Sequence, residues 1–195
     1  GLPQNFFAAG LMQPRTDAAA LPAAGGKPAT HSGNSSAATR QQVALMAARH
    51  RAHALDPLAD SDPTQLAATA LTAIGPALDA GEPFLVYSTA EPAQVATVQA
   101  KLGAERAATL VEDALALVAE RIVARGVRRL VVAGGETSGA VVKALRVKAL
   151  AIGPQIDPGV PWTISVGSEP RIALALKSGN FGAPDFFAKA LELMP

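Results

Sequence analysis

The stretch "VRRLVVAGGETSGAVVKAL", Val127–Leu145, decides how the chain is read. It opens with a short apolar run suited to a buried strand. It then turns on "GGETSG" and continues with helical spacing through Val141, Val142 and Leu145. A strand that turns on glycines into a helix is the basic unit of a parallel sheet with helical crossovers.

The same alternation extends in both directions. Upstream, "PATHSG", "HALD" and "PFLVYST" read as strands, and "SAATRQQVALMAARH" as a helix capped by Ser36. A second helix opens at Pro63, with Leu71, Ile74 and Leu78 on one face, and Gly75-Pro76 reads as an interruption. Ser88 and Glu91 have capping-box spacing ahead of a helix carrying Val95, Val98 and Leu102. The strongest helix covers 104–125, with Val111, Leu115, Val118 and Ile122 as its stripe. Downstream, "VKALAI" and "RIALAL" read as strands, "DPGVPWTIS" as a break in regularity, and "PDFFAKALELM" as a closing helix. The expected fold is α/β: a single domain with a mostly parallel sheet and helices on both faces, three-layered and Rossmann-like.

Residues 1–27 read as a connector rich in Ala, Gly and Pro, and 28–195 as the folded domain. Phe6 and Phe7 are the exception in the connector, since two adjacent aromatics call for a packing partner. Apolar residues make up 49% of the 195-residue chain but aromatics only 4%, so there is little for stacking nucleic-acid bases. Net charge is +1 with the basic residues scattered, which gives no electrostatic footprint for nucleic acid or an anionic membrane. With no cysteine, disulfides, thiolate metal sites and a cysteine nucleophile are excluded. No apolar run is long enough to span a membrane, and the N-terminus lacks the order of a secretory signal, so a cytoplasmic protein is expected.

Three glycine-bearing stretches fall at or just after strand ends, where ligands bind in such sheets: "HSGNSS" at 31–36, "GGETSG" at 134–139 and "KSGNFG" at 177–182. Gly134 and Gly135 let a ligand approach the main chain. A helix starting near Thr137 offers free amides and a positive dipole end to phosphate. Thr137 and Ser138 add hydroxyls, and Gly139 is expected to let the helix pack closely. Glu136 suits a helix cap or a water on magnesium better than a phosphate. A tight turn with no ligand fits the same residues. Walker-type and dinucleotide-type spacings both fail, because Ala140 stands where a lysine belongs and Gly134 and Gly135 are adjacent. Lys177 reads either as a flexible phosphate donor or as a solvated surface residue. His31, His50 and His53 lack metal-ligand spacing, no Gly-x-Ser-x-Gly elbow is present, and Trp162 reads as a core plug.

"VVAGGETSGAVVKAL", "LAIGPQIDPGVPWT" and "LALKSGNFGAPDFF", in this order, resemble the C-terminal part of the four-carbon acid sugar kinase family. The likeness runs from about Thr30 to the end, and "GLPQNF" resembles the junction between that family's halves. The resemblance implies a nucleotide-binding C-terminal domain for ATP, carried with Mg2+, and a missing N-terminal domain holding most of the sugar-acid site. By motif, it places nucleotide contacts on Ser32, Gly134, Gly135, Glu136, Thr137 and Gly179. It also implies phosphoryl transfer to a hydroxyl of 3-oxo-tetronate, threonate or erythronate type. The catalytic base is not found in this chain, no protein metal ligand is identified, and the fragment alone is expected to be inactive. "SGNSS" departs from the family's Ser-Gly-Ser-Cys-Ser, which puts contacts from Asn34 and Ser35 in doubt. A homodimer is left open. So is the alternative of a non-catalytic interaction or dimerisation module that has lost nucleotide binding.

Overall fold

The computed structural model describes Leu21 and residues 23–193, so Phe6, Phe7 and most of the connector lie outside the described residues. Seven strands form one sheet in the order β2-β3-β1-β4-β7-β6-β5. They are β1 (Lys27–Ser32), β2 (Arg51–Ala54), β3 (Phe84–Tyr87), β4 (Val127–Ala133), β5 (Leu150–Asp157), β6 (Val160–Ser165) and β7 (Ala173–Lys177). The five strands from β2 to β7 across the sheet are parallel, and β6 and β5 complete it antiparallel. The six described helices are α1 (Ala37–Ala47), α2 (Pro63–Ala80), α3 (Pro92–Leu102), α4 (Ala104–Ala124), α5 (Gly135–Ala144) and α6 (Phe186–Glu192).

Each face of the sheet has its own core. On one, Ile74 and Leu78 of α2, Leu115, Val118 and Ile122 of α4 and Val141 of α5 pack on Val86 and Val132. On the other, Val43 and Met46 of α1 and Phe186 and Phe187 of α6 pack with Leu85, Val131 and Trp162. The expected three-layer α/β fold is therefore present. Trp162 is fully buried as a core plug, with its indole N–H donating to the Ala190 carbonyl at 3.2 Å.

Four expectations change. First, α2 runs straight through Gly75-Pro76 to a left-handed Gly81. Its buried face continues at Ile74, Ala77 and Leu78, and that burial outweighs one missing helical hydrogen bond. Second, α3 starts three residues late: Glu91 is its N-cap and Gln94 completes the box, because Pro92 is suited to the first helical position. Third, "DPGVPWTIS" holds a strand, β6. Pro158-Gly159 makes the turn from β5, and Pro161 sits beside a register shift and ahead of the β6–β7 ladder, where a missing N–H is tolerated. Fourth, β5 begins at Leu150 and runs on to Asp157, later and longer than "VKALAI" implied.

Candidate functional site

From β1 the chain moves to one side of the sheet, to β2 and β3, and then crosses to β4 on the other side. The order reverses beside β1, and a crevice opens at the carboxyl ends of strands at such a point. Ser32, Ala133 and Lys177 end β1, β4 and β7 side by side in register. Two further bonds carry the alignment into the turns: Gly33 N–H to the Ala133 carbonyl and Gly134 N–H to the Lys177 carbonyl, both 2.9 Å. The three turns singled out in the sequence are thus neighbours.

Asn34 joins them. A Cβ on Gly134 would lie 3.4 Å from Asn34 Cβ, and one on Gly179 would lie 2.2 Å from Asn34 Oδ1. That oxygen accepts from Ser36 N–H at 2.8 Å. Ser35 Oγ accepts from Ala90 N–H at 3.1 Å. The two residues that depart from the family motif therefore shape the turn.

α5 starts at Gly135 rather than near Thr137, with Gly134 at φ +120° as its N-cap. No side chain caps this end, and among the described hydrogen bonds the amides of Gly135, Glu136 and Thr137 donate to nothing. Gly135 and Glu136 are exposed, whereas Thr137 is buried. Gly33 is needed for Thr137, because a Cβ there would stand 2.0 Å from Thr137 Oγ1. Gly139 does not serve close packing, since its Cβ position is open. Ser32 is fully buried, and its hydroxyl bonds to Thr89 Oγ1 at 2.7 Å, which in turn donates to the Asn34 carbonyl at 2.7 Å. Ser32 thus supports the first turn from beneath.

Lys177 is neither flexible nor solvated. It is 1% exposed, and its ammonium donates to Thr39 Oγ1 (3.0 Å) and to the carbonyls of Ser178 (3.2 Å) and Gly179 (3.1 Å). Burial pushes it down to about 8. The Gly179 carbonyl also accepts from Ser36 Oγ at 2.6 Å and Thr39 Oγ1 at 2.7 Å. Gln42 Nε2 holds the carbonyls of Phe181, Gly182 and Ala183 at 3.1, 3.1 and 2.9 Å. The sequence reading missed Thr39, Gln42 and Thr89. A signal existed for the first two, because they share the inward helical face with Val43 and Met46, where polar residues need partners.

Beside the first two turns lies a cavity of about 800 Å³. Leu55, Val95, Val98, Ala107 and Val111 form its apolar part, and Gly33, Ser35, Glu136 and Thr137 border it. Glu112, also on the wall, has its carboxyl raised by burial and then by the charges of Glu136 and Asp113. Beneath the site, His31 is fully buried with both ring nitrogens unpartnered, and burial lowers it to about 3. His50 and His53 are half-buried. No helix among the described residues is long and apolar enough to cross a membrane.

Residues 29–187 match the family described as nucleotide-binding C-terminal domain. A 3-oxo-tetronate kinase of Cupriavidus necator is 54% identical over 193 residues, which is 98% of this chain and 44% of that protein. A 3-oxo-tetronate kinase of Burkholderia multivorans is 50% identical over 194 residues, 100% of this chain and 45% of that protein. A crystallised Salmonella typhimurium protein superposes with a TM-score of 0.79 at 33% identity, over 88% of this chain and 42% of that one. The chain spans less than half the length of the curated relatives it matches. It belongs to the nucleotide-binding C-terminal domain family, within the four-carbon acid sugar kinases.

Proposed function

We propose that this chain, as the C-terminal domain its family membership makes it, binds ATP for a kinase that phosphorylates a hydroxyl of a four-carbon acid sugar of the 3-oxo-tetronate, threonate or erythronate type. One observation carries the reading: three glycine turns end β1, β4 and β7 in register at the switch point, and the first two border a largely apolar cavity. The boundaries proposed are a connector over 1–27 and the nucleotide domain over 28–195.

The residues fit a nucleotide. The amides of Gly135, Glu136 and Thr137 and the dipole of α5 would hold phosphates. Gly134 and Gly179 would border the phosphates through their main chain, their missing Cβ atoms leaving room for Thr137 and Asn34, and Ser32 would hold the border of the site in shape. The apolar wall from Leu55 to Val111 has the chemistry for a base. Magnesium brought by the nucleotide would neutralise phosphate charge, with Glu136 at the rim placed to orient its water. In phosphoryl transfer such positioning and charge neutralisation supply most of the catalysis. The sugar acid and the base that takes its proton would belong to the N-terminal part found in the longer relatives, so this chain alone would bind nucleotide without turnover.

Calorimetric titration with ATP and magnesium, beside Gly135→Val, tests the reading. Gly135 is exposed with nothing within 4 Å of its Cβ position and no positive φ, so the variant should fold and melt as the parent does. Loss of affinity by about tenfold or more, from a branched side chain blocking the amides, is the expected outcome. Equal affinity in both proteins would remove the phosphates from this turn. A folded parent that binds no ATP, alone or with the N-terminal part restored, would favour the non-catalytic module.

A further inference from the structure

Five carbonyl oxygens of the loop after β7 are held by side chains. Those of Ser178 and Gly179 accept from the Lys177 ammonium, and those of Phe181, Gly182 and Ala183 accept from Gln42. In a trans peptide the C=O and the following N–H point in opposite directions. Fixing the Ser178 and Gly179 carbonyls on Lys177 therefore turns the amides of Gly179 and Asn180 away from it. A turn bond from Phe181 N–H to the Ser178 carbonyl, 3.2 Å, closes the segment in that shape. Neither the Gly179 nor the Asn180 amide donates in any described hydrogen bond. Two successive free amides facing one way make a concavity suited to an anion.

The holding group is unusual. Lys177 is buried, yet none of the described ion pairs includes it; its partners are carbonyls and a hydroxyl. Burying a cation without a counter-ion is costly for the fold alone. The cost is understandable if an anion arrives on the far side of the peptides that the ammonium polarises.

We propose that Lys177 is a positioning residue for phosphate: from behind the 178–180 turn it fixes the Gly179 and Asn180 amides as a second phosphate cradle, in the turn beside the amide end of α5. Lys177 does not touch the nucleotide. It acts through two peptide groups, with Thr39 and Ser36 as auxiliary donors on the Gly179 carbonyl. The inference rests on the nucleotide reading above and goes beyond it in assigning this role.

The test compares the amide spectrum of the full chain with that of Lys177→Met, which keeps the stem and removes the charge and donors. Inorganic pyrophosphate and magnesium-ADP serve as probes. In the parent, both should shift the amide signals of Gly135–Thr137 and of Gly179–Asn180. In the variant the first group should still respond, the second should not, and ADP affinity should fall about tenfold, as expected for losing charge-supported hydrogen bonds. Retained shifts at Gly179 and Asn180 in the folded variant would overturn the assignment. So would their silence in the parent while Gly135–Thr137 respond. No response at either turn of the parent, both alone and with the N-terminal part restored, would overturn the nucleotide reading itself. Should Lys177→Met fail to fold, Thr39→Val takes its place. It removes the hydroxyl between the ammonium and the Gly179 carbonyl at constant shape, and the same criteria apply.

Discussion

The turn at 134–137 and the loop at 178–183 follow neighbouring strands that end in register, and they are built in opposite ways. The first is made by the backbone: a glycine at φ +120°, a helix that begins at once, and amides with no protein partner. The second is made by side chains from elsewhere. Ser36, Thr39 and Gln42 of the first turn and α1, together with Lys177, take up five of its carbonyls. A backbone-made turn should tolerate changes around it, whereas a loop held by distant donors should fail when one donor is lost.

The largest effect should come from removing such a donor. Gln42 is 1% exposed, and its side-chain nitrogen serves three carbonyls. Gln42→Leu keeps the helix but strips those acceptors of their partner, which should cost about 3 kcal/mol of unfolding free energy in urea titration. The amides of Gly135–Thr137 should still respond to pyrophosphate. If stability is unchanged, the loop does not depend on α1 and the contrast between the turns collapses.

That contrast also marks what the sequence could show. The strand-glycine-helix unit at 127–145 is local, so its spacing alone located Gly134, Gly135 and the sheet. Lys177 could be read only as a polar lysine in a glycine turn, because its role comes from Thr39, which is 138 residues away along the chain. Thr89 beneath Ser32 was hidden for the same reason, the pair being 57 residues apart. β6 was lost because two prolines and a glycine conceal a strand whose ladder with β7 begins only at Trp162. The apolar cavity draws on three helices and three strand ends, which no single stretch reveals.

Acid should weaken the sheet at β1, which pairs with β4 ahead of the first of these turns. His31 lies in register with Val86 and Val132, on the face covered by α2 and α4, and is held neutral with a pKa of about 3 against 6.5 when unfolded. Between those values the unfolded chain carries a proton that the folded chain does not, so stability falls as pH falls. The slope is about 1.4 kcal/mol per pH unit below 6.5, or about 2 kcal/mol lost by pH 5. Half-buried His53 shifts in the same direction. Asp157 behaves differently: its hydrogen bond to Lys189 holds the carboxyl below the usual 3.8, so its contribution is lost only in stronger acid. Urea unfolding of the parent and of His31→Leu at pH 7 and pH 5 separates these groups. The variant should lose most of the early slope, and an unchanged slope would place the titration elsewhere.

The smallest effect discriminates most finely between the glycines of the first turn. Gly139 lies inside α5, exposed, with nothing within 4 Å of a Cβ and no positive φ. Alanine there should stabilise the helix by about 0.5–1 kcal/mol and raise the melting temperature accordingly. Nucleotide affinity should not change, because Gly139 lies two residues beyond the last free amide and a full helical turn beyond Gly135. Gly135 is equally open on the protein side, so the structure gives neither glycine a packing role. If Gly135→Val loses affinity at constant stability while Gly139→Ala gains stability at constant affinity, Gly135 is glycine for the ligand. Gly139 is then a helix position that the phosphate does not reach. Loss of affinity in Gly139→Ala would extend the ligand further along α5 and make this turn less a matter of backbone alone.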